Sequence, residues 1–266
     1  MHHWHAILMH VPTAMLVMFR IGGLFIFAPV LSSKVIPGRV KVLMSMLLAM
    51  AIYPIVSTLP GIDPGSLKMD VFSLAPLMAT ELLIGAVIGF VALMPLMAMQ
   101  IGGLLMGQQM GLGFASFYDP SVSDEMDLVG RFFFLFGLAG FVLAGALDAI
   151  ILALLNTFAH VPLGGFMLEA GGVVMVTGLL TSACEIAMRI AAPVLAVIFL
   201  QTVAMGFVSK TVPQLNILSL GFPIRILLGL AVMVVGVVAI DDVLLEGIDE
   251  MIAIVFQWIE HGQEAA

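Results

Sequence analysis

The sequence predicts an all-α membrane protein of kinked helical hairpins, with about six hydrophobic units and a C-terminal amphipathic helix. Of its 266 residues, 62% are hydrophobic and 10% are charged, and the mean hydropathy is +1.21. A soluble domain is usually about 45–50% apolar and about 25% charged. The chain therefore cannot hide its apolar surface from water by itself, and it is expected in a membrane or in the core of a membrane complex.

Six hydrophobic units approach or exceed the length of roughly 20 apolar residues that a spanning helix needs. They lie at about 6–31, 42–59, 72–113, 128–158, 173–208 and 217–240. A last segment, 241–261, places apolar side chains such as Leu244 and Ile248 against acidic ones such as Asp242 and Glu246. This amphipathic spacing predicts an interfacial or partner-packing helix rather than a span.

The third and fifth units are too long for one straight span, because a helix of about 40 residues reaches about 60 Å. We expect the third unit to bend at Pro95 or at Gly102-Gly103, and the fifth carries Pro193 near its middle. A proline removes a backbone donor, and in lipid each freed backbone group needs a partner. The bends are therefore expected inside protein, against other helices.

Charge and cysteine content narrow the class of protein further. The net charge is −8, but seven of the 17 acidic residues follow Ile240, so the acidic balance says little about nucleic acid. The one cysteine, Cys184, excludes an internal disulfide and a cysteine-based metal cluster, and we expect it to be a buried small hydrophobe. The N-terminus lacks the basic region and cleavage site of a signal peptide. Lys34, Arg39 and Lys41 form the one basic loop, which the positive-inside rule places in the cytoplasm.

Ionisable residues in apolar surroundings are the first candidates for function. They are Arg20, Glu81, Arg131, Asp148, Glu185, Arg189 and Arg225. Such residues cost about 2.5–3.5 kcal/mol each at a helix centre on insertion scales, so they tend to face protein or water. They fit either an ion or proton pathway or, as we favour, ion pairs at helix ends or between subunits. Glu185 and Arg189, four residues apart, can pair on one helix face.

Catalytic and metal-binding patterns are weak in this sequence. His2, His3, His5 and His10 crowd the N-terminus without acidic or cysteine partners, which favours an interfacial terminus over a metal site. We find no nucleophile elbow, phosphate loop or paired catalytic carboxylates. The sequence therefore predicts no enzyme, no metal and no cofactor.

The stretch "GLLMGQQMGLGFASFYDP", residues 103–120, is the most unusual part of the chain. Gly103, Gly107 and Gly111 recur every four residues, as Gly85 and Gly89 do upstream, and this spacing lets two helices approach closely in lipid. Gln108 and Gln109 are costly against lipid, so at least one should meet a partner helix or an aqueous cavity.

An aromatic loop follows this helix, because a proline at position 120 disfavours helix in the residue before it. The loop carries Phe114, Phe117 and Tyr118. Spacing alone leaves two interpretations open: an ordinary interhelical turn, or a movable loop that plugs a pore with apolar bulk.

Four motifs in order resemble the FliR family of the flagellar export gate and its injectisome counterparts of the SctT class. They are "RIGGLFIFAPVLSSKVIPGRVKVLMSMLLA" (20–49), "ELLIGAVIGF" with "QIGGLLMGQQMGLGFASFYDP" (81–120), "LLNTFAHVPLGG" (154–165) and "KTVPQLNILSLGFPIRILLGL" (210–230). The family often has an Asn-Gly-His triplet in the fourth unit, where this chain reads "VLAGALDAII", and its polar role could have shifted to Asp148. Lys210 stands where arginine is common.

The resemblance implies a non-enzymatic subunit of a multi-subunit gate in the bacterial inner membrane, at the flagellar basal body. It implies FliP-like and FliQ-like partners, FlhB-like and FlhA-like neighbours, and unfolded export substrates. The resemblance also implies that residues 1–266 are one FliR-like domain, FliP-like to about 208 and FliQ-like from about 209. The aromatic loop matches the family's plug, so Phe114, Phe117 and Tyr118 are gate candidates. Met106, Met110, Gln108 and Gln109 are expected near the constriction.

Subunit contacts are expected at a helix break formed by Pro213, Gln214 and Asn216, where the two polar side chains would cap freed backbone groups. Gly103, Gly107 and Gly111 are expected at close helix contacts. An alternative is a secondary transporter, in which Arg20, Glu81 and Asp148 form a midplane site. The lack of inverted repeats argues against it, and an intramembrane enzyme ranks third.

Overall fold

The computed structural model describes residues 2–59, 71–112, 128–161, 163–164, 171–212 and 217–264. These residues form seven α-helices and no strand, which confirms the predicted all-α fold class. The helices are α1 (His2–Phe27), α2 (Gly38–Val56), α3 (Val71–Met110), α4 (Leu128–Leu143), α5 (Ala146–His160), α6 (Gly171–Thr211) and α7 (Ile217–Glu264).

Five helices in the described part of the chain, α1, α2, α3, α6 and α7, are long and apolar enough to cross a membrane. The number rises to six if α4 and α5, which are separated by a short break, count as one span. The helix count therefore agrees with the six hydrophobic units, and the protein is a membrane protein.

Long helices continue where the sequence predicted bends. Helix α3 runs unbroken through Pro95 and Gly102-Gly103, and α6 runs unbroken through Pro193. A proline removes only one donor from the helix, and spanning helices tolerate this where their surroundings satisfy the freed carbonyl. Helical structure therefore continues past these residues, and the bends expected there stay predictions.

The fourth hydrophobic unit is two helices rather than one. Helix α4 ends at Leu143, and α5 begins after Gly145, whose φ of 72° lies in the left-handed region that glycine adopts without strain. The N–H of Ala144 still donates to the Gly140 carbonyl, at 2.8 Å, and so closes the last turn of α4. The continuous apolar pattern of 128–158 hid this break, because small apolar residues flank the glycine.

The predicted C-terminal amphipathic helix is not a separate element, since α7 runs from Ile217 to Glu264 without interruption. Its predicted spacing is nevertheless observed. Leu244, Ile248 and Met251 are buried on one face. The opposite face exposes Asp242, Glu246, Asp249 and Glu250.

The chain divides into two compact units. The first comprises Met1–Met94, Gly145–Leu179 and Glu250–Ala266, and the second comprises Pro95–Ala144 and Leu180–Asp249. In the first unit, α1 and α3 approach so closely at Gly85 that an added methyl group would overlap the backbone of Arg20. At Gly89 such a group would lie 2.8 Å from the backbone nitrogen of Ala28. The close approach that the spacing of Gly85 and Gly89 predicts is therefore present.

In the second compact unit, the last part of α3 contacts both α6 and α4. A methyl group at Gly102 would lie 2.9 Å from the carbonyl oxygen of Ala187 on α6, and one at Gly137 on α4 would lie 3.2 Å from Met99. Cys184, which we expected to be buried, is exposed on α6 beside the exposed Glu185. The polar neighbour places this side of α6 outside the core, so the expectation for Cys184 was wrong.

Candidate functional site

Two charged side chains meet in the first compact unit. Arg20 on α1 and Glu81 on α3 are both fully buried, and the Nε of Arg20 donates to Oε2 of Glu81. Gly85 lies one turn after Glu81 and lets α3 reach the α1 backbone at Arg20. Because Gly85 has no side chain, α3 lies close enough to α1 for the two charged side chains to contact each other.

Arg20 also contacts the C-terminal end of α5. Its Nη1 donates to the carbonyl oxygen of Thr157 at 3.1 Å and to the Thr157 hydroxyl at 3.3 Å. Both Nη atoms donate to the carbonyl oxygen of Val161 at 3.2 Å. The guanidinium carbon lies 4.5 Å from the ring centroid of Phe158, a cation–π distance.

Glu81 uses its second oxygen on the turn after α5. Its Oε1 accepts a hydrogen bond from the backbone N–H of Gly164 at 2.8 Å. Gly164 has a φ of 75°, which favours glycine, and a methyl group there would lie 2.9 Å from Leu77 of α3. The two charges thus join α1, α3, the end of α5 and the following turn in one network.

This network bears directly on the transporter alternative. That alternative needs Arg20, Glu81 and Asp148 in one accessible site, but Arg20 and Glu81 are sealed from solvent. Asp148 lies in the first turn of α5 and is exposed, so the arrangement described does not form that site. A negative side chain in the first turn of a helix is favourable by itself, because it lies at the positive end of the helix dipole.

The other predicted charges lie in the second compact unit. Arg189 pairs with Glu185 at 2.7 Å, as the spacing of four predicts, and also with Glu246 of α7 at 3.4 Å. All three side chains are at least half exposed. Arg225 of α7 donates to the Thr202 hydroxyl of α6 at 3.2 Å, and its Nε is buried. Arg131 is exposed on α4.

The glycines of residues 103–111 differ in their surroundings. A methyl group at Gly103 would lie 2.7 Å from the Gly130 Cα of α4, whereas one at Gly107 would lie 3.5 Å from the Val129 side chain. Gly111 ends the helix with a φ of 85°. Gly103 thus makes a tight backbone contact, Gly107 makes an ordinary contact, and Gly111 ends the helix.

The methionines and glutamines of this stretch point to different environments. Met106 and Met110 are fully buried, and the Met110 side chain occupies the space that a methyl group at Gly229 of α7 would need. Gln108 and Gln109 are exposed on the other side of α3. The four residues expected near one constriction are therefore divided between the inside and the outside of the second compact unit.

Several predicted site residues lie outside the described part of the chain. They are the plug candidates Phe114, Phe117 and Tyr118 and the break residues Pro213, Gln214 and Asn216. Helix α6 ends at Thr211 and α7 begins at Ile217, so the two helices end on either side of the predicted break. Within the described residues, no three His, Cys, Asp or Glu side chains lie close enough to hold a metal ion.

Two features were missed when the sequence was considered alone. The first is the pair of residues in α5 that contact Arg20, Thr157 and Phe158, which lie in the third family motif. Thr157 is 137 residues from Arg20, and no sequence periodicity links positions so far apart. Gly229 was not singled out, although it makes room for Met110. A glycine inside an apolar helix was the available signal for such a contact.

Comparison with known proteins identifies the family. Residues 11–251 match the model of the family described as "Bacterial export proteins, family 1". The flagellar biosynthetic protein FliR of Escherichia coli K12 is 30% identical over 227 residues, which cover 81% of this chain and 80% of that protein. FliR of Bacillus subtilis 168 is 26% identical over 227 residues, covering 84% and 85%.

An injectisome protein is similar as well. The Yop proteins translocation protein T of Yersinia pestis is 28% identical over 218 residues, covering 80% of this chain and 81% of that protein. These matches confirm the resemblance that the four motifs indicated, and they extend over most of the helices described above. The chain therefore belongs to the bacterial export proteins of family 1, the family of FliR and its injectisome counterparts.

Proposed function

We propose that the chain is a non-enzymatic subunit of a flagellar type III export gate in the bacterial inner membrane, at the flagellar basal body. It assembles with FliP-like and FliQ-like subunits around a passage for unfolded proteins, next to FlhB-like and FlhA-like proteins. Its family and its FliR relatives support this role. The energy for transport comes from other components, since the sequence carries no nucleotide-binding motif.

The exposed pair Gln108 and Gln109 is the observation that carries the proposal. These amides lie on a helix that is apolar enough to span a membrane, and lipid is an unfavourable environment for them. A water-filled passage or a partner subunit satisfies them. The apolar surfaces of α6 and α7 extend the same argument, because Phe207 is 68% exposed and Val235 is 84% exposed. Lipid or partner helices must cover such surfaces.

The gate in this proposal has two layers. Gln108 and Gln109 face the passage, and Phe114, Phe117 and Tyr118 supply the apolar plug that the resemblance implies. An apolar constriction can close a pore by excluding water. Met106 and Met110 support this wall from behind, because both are fully buried within the chain.

A second candidate is the same role in an injectisome, which the similarity to the Yersinia protein favours. Co-expression tests both candidates with one design. The chain is produced with a flagellar FliP-like and FliQ-like pair, or with an injectisome pair, and any purified complex is imaged. We expect a stable complex with the flagellar pair. A chain that stays a dispersed monomer with both pairs, and alone catalyses ion-coupled uptake, would contradict the proposed function.

A further inference from the structure

We propose that Arg20 caps the C-terminal end of α5, and that Arg20 and Glu81 together anchor the chain at Val161 and Gly164, just after this helix. In this role the pair is directional: the cation must stand on α1 and the anion on α3. A simple ion pair would work in either orientation. The two interpretations therefore predict different results for the exchange of the two charges.

The carbonyl groups at the end of α5 create the need for a cap. The last four carbonyl groups of a helix have no partner within it, and a buried carbonyl without a hydrogen bond is costly. Val161 is the residue that closes α5, and both Nη atoms of Arg20 donate to its carbonyl oxygen. The Thr157 carbonyl, which already accepts from the Val161 N–H at 2.8 Å, takes a second hydrogen bond from Arg20. The planar guanidinium has five donors and so serves several acceptors at once. Its positive charge also suits the negative end of the helix dipole.

Glu81 acts on the turn that follows. One carboxylate oxygen accepts from Arg20 and the other accepts from the Gly164 N–H at 2.8 Å. An anion at this position therefore matches a cation on one side and a backbone donor on the other. Both side chains are fully buried, so solvent cannot replace either partner.

Exchange of the two charged residues would remove both the hydrogen bonds to the end of α5 and the hydrogen bond to the Gly164 N–H. Arg20→Glu places a carboxylate against the carbonyl oxygens of Thr157 and Val161, where it repels them. Glu81→Arg places a donor against the Gly164 N–H, which is itself a donor. The ion pair alone could form again, but the cap and the anchored turn could not. A lysine at position 20 keeps the charge yet lacks the planar fork that reaches several acceptors.

The turn can be followed directly through a single cysteine introduced in place of Leu163, which is only partly exposed. The full-length chain carries Leu163→Cys and Cys184→Ala, and the rate at which a small maleimide labels the introduced thiol is measured in detergent. The test variants are Arg20→Lys and the double exchange Arg20→Glu with Glu81→Arg. The matched control is the double exchange Glu185→Arg with Arg189→Glu, an exposed pair in the same chain.

We expect Arg20→Lys and the Arg20/Glu81 exchange to raise the labelling rate roughly tenfold or more, because several charge-assisted hydrogen bonds are lost. The control exchange should leave the rate unchanged. The cap is also supported if the variant with Arg20 and Glu81 exchanged cannot be purified in folded form while the control variant can. Parent-like labelling and yield of that exchange would overturn the proposal, as would parent-like labelling of Arg20→Lys. The measurement needs no partner subunit, so its outcome is independent of the proposed function.

Discussion

Gly103 on α3 lies directly against Gly130 on α4, so that a methyl group at position 103 would come 2.7 Å from the Gly130 Cα. It would also come 2.8 Å from the carbonyl oxygen of Val129. These are backbone atoms, which cannot rotate away, so only movement of a helix makes room. One turn later, a methyl group at Gly107 meets a side chain at an ordinary distance of 3.5 Å.

Gly103→Ala should therefore destabilise the second compact unit, while Gly107→Ala should not. Inserting a methyl group into a tightly packed site typically costs about 1–3 kcal/mol. Thermal unfolding of the purified chain or complex measures the difference. Gly107→Leu, which is too large for the space beside Val129, should behave like Gly103→Ala. Equal unfolding temperatures for Gly103→Ala and Gly107→Ala would contradict the close contact.

Met110 and Gly229 should be energetically coupled. A methyl group at Gly229 would lie 2.6 Å from the Cγ of Met110, so Gly229→Ala should destabilise the chain. Prior removal of the side chain by Met110→Ala should reduce that cost. Contacting residues couple by about 0.5–3 kcal/mol in double-mutant cycles. Gly236→Ala is the control, because its nearest neighbour there is 4.0 Å away. Additive effects of the two changes would exclude the contact.

Arg20→Met should lower stability far more than Arg189→Met. Removal of one member of a buried ion pair leaves an unpaired charge and costs roughly 3–5 kcal/mol. Arg189 is half exposed, so water replaces its lost partners and the unfolding transition should not shift measurably. Denaturation of the two purified variants under identical detergent conditions provides the comparison. A small shift for Arg20→Met would show that the buried network contributes little.

Phe114→Ala with Phe117→Ala should make the assembled gate leak. Loss of two rings widens an apolar constriction and lets water enter it. Flux of a small ion or solute through the complex in liposomes measures this, with Phe72→Ala, a 91% exposed position on α3, as the control. Flux that stays at the level of the unmodified complex would remove the plug assignment.

Gln214→Ala and Asn216→Ala should weaken the association with FliP-like and FliQ-like subunits. The lost amides would leave backbone groups at the predicted helix break without partners. Co-purification at increasing detergent concentration gives the measurement. Ser209→Ala is the control, because the Ser209 hydroxyl donates only within its own helix, to Gly206 at 2.7 Å. A complex that remains equally robust would show that these amides play no part in assembly.

Local patterns were sufficient to predict much of the fold. Apolar segment length predicted the membrane class and, in the described part of the chain, the helices long and apolar enough to span, because hydrocarbon thickness constrains helix length directly. The pair Glu185 and Arg189 was also predictable, since four residues separate neighbours on a helix face. Periodicity likewise predicted the buried face of α7, on which Leu244 and Ile248 lie.

Tertiary relationships were not predictable in the same way. Arg20 and Glu81 were candidates as intramembrane charges, but their pairing spans 61 residues and depends on how α1 and α3 cross. The break at Gly145 was missed because a left-handed residue leaves no mark on hydropathy. The exposed Gln108 and the buried Met110 were assigned to one constriction, because their sequence proximity does not reveal which side of α3 faces the core.

The buried pair of Arg20 and Glu81 has a consequence for the chain before it meets any partner subunit. An unpaired charge is costly inside a bilayer, whether or not other subunits are present. Here each charge neutralises the other within the same polypeptide. The folded chain therefore needs no other subunit to neutralise these two charges.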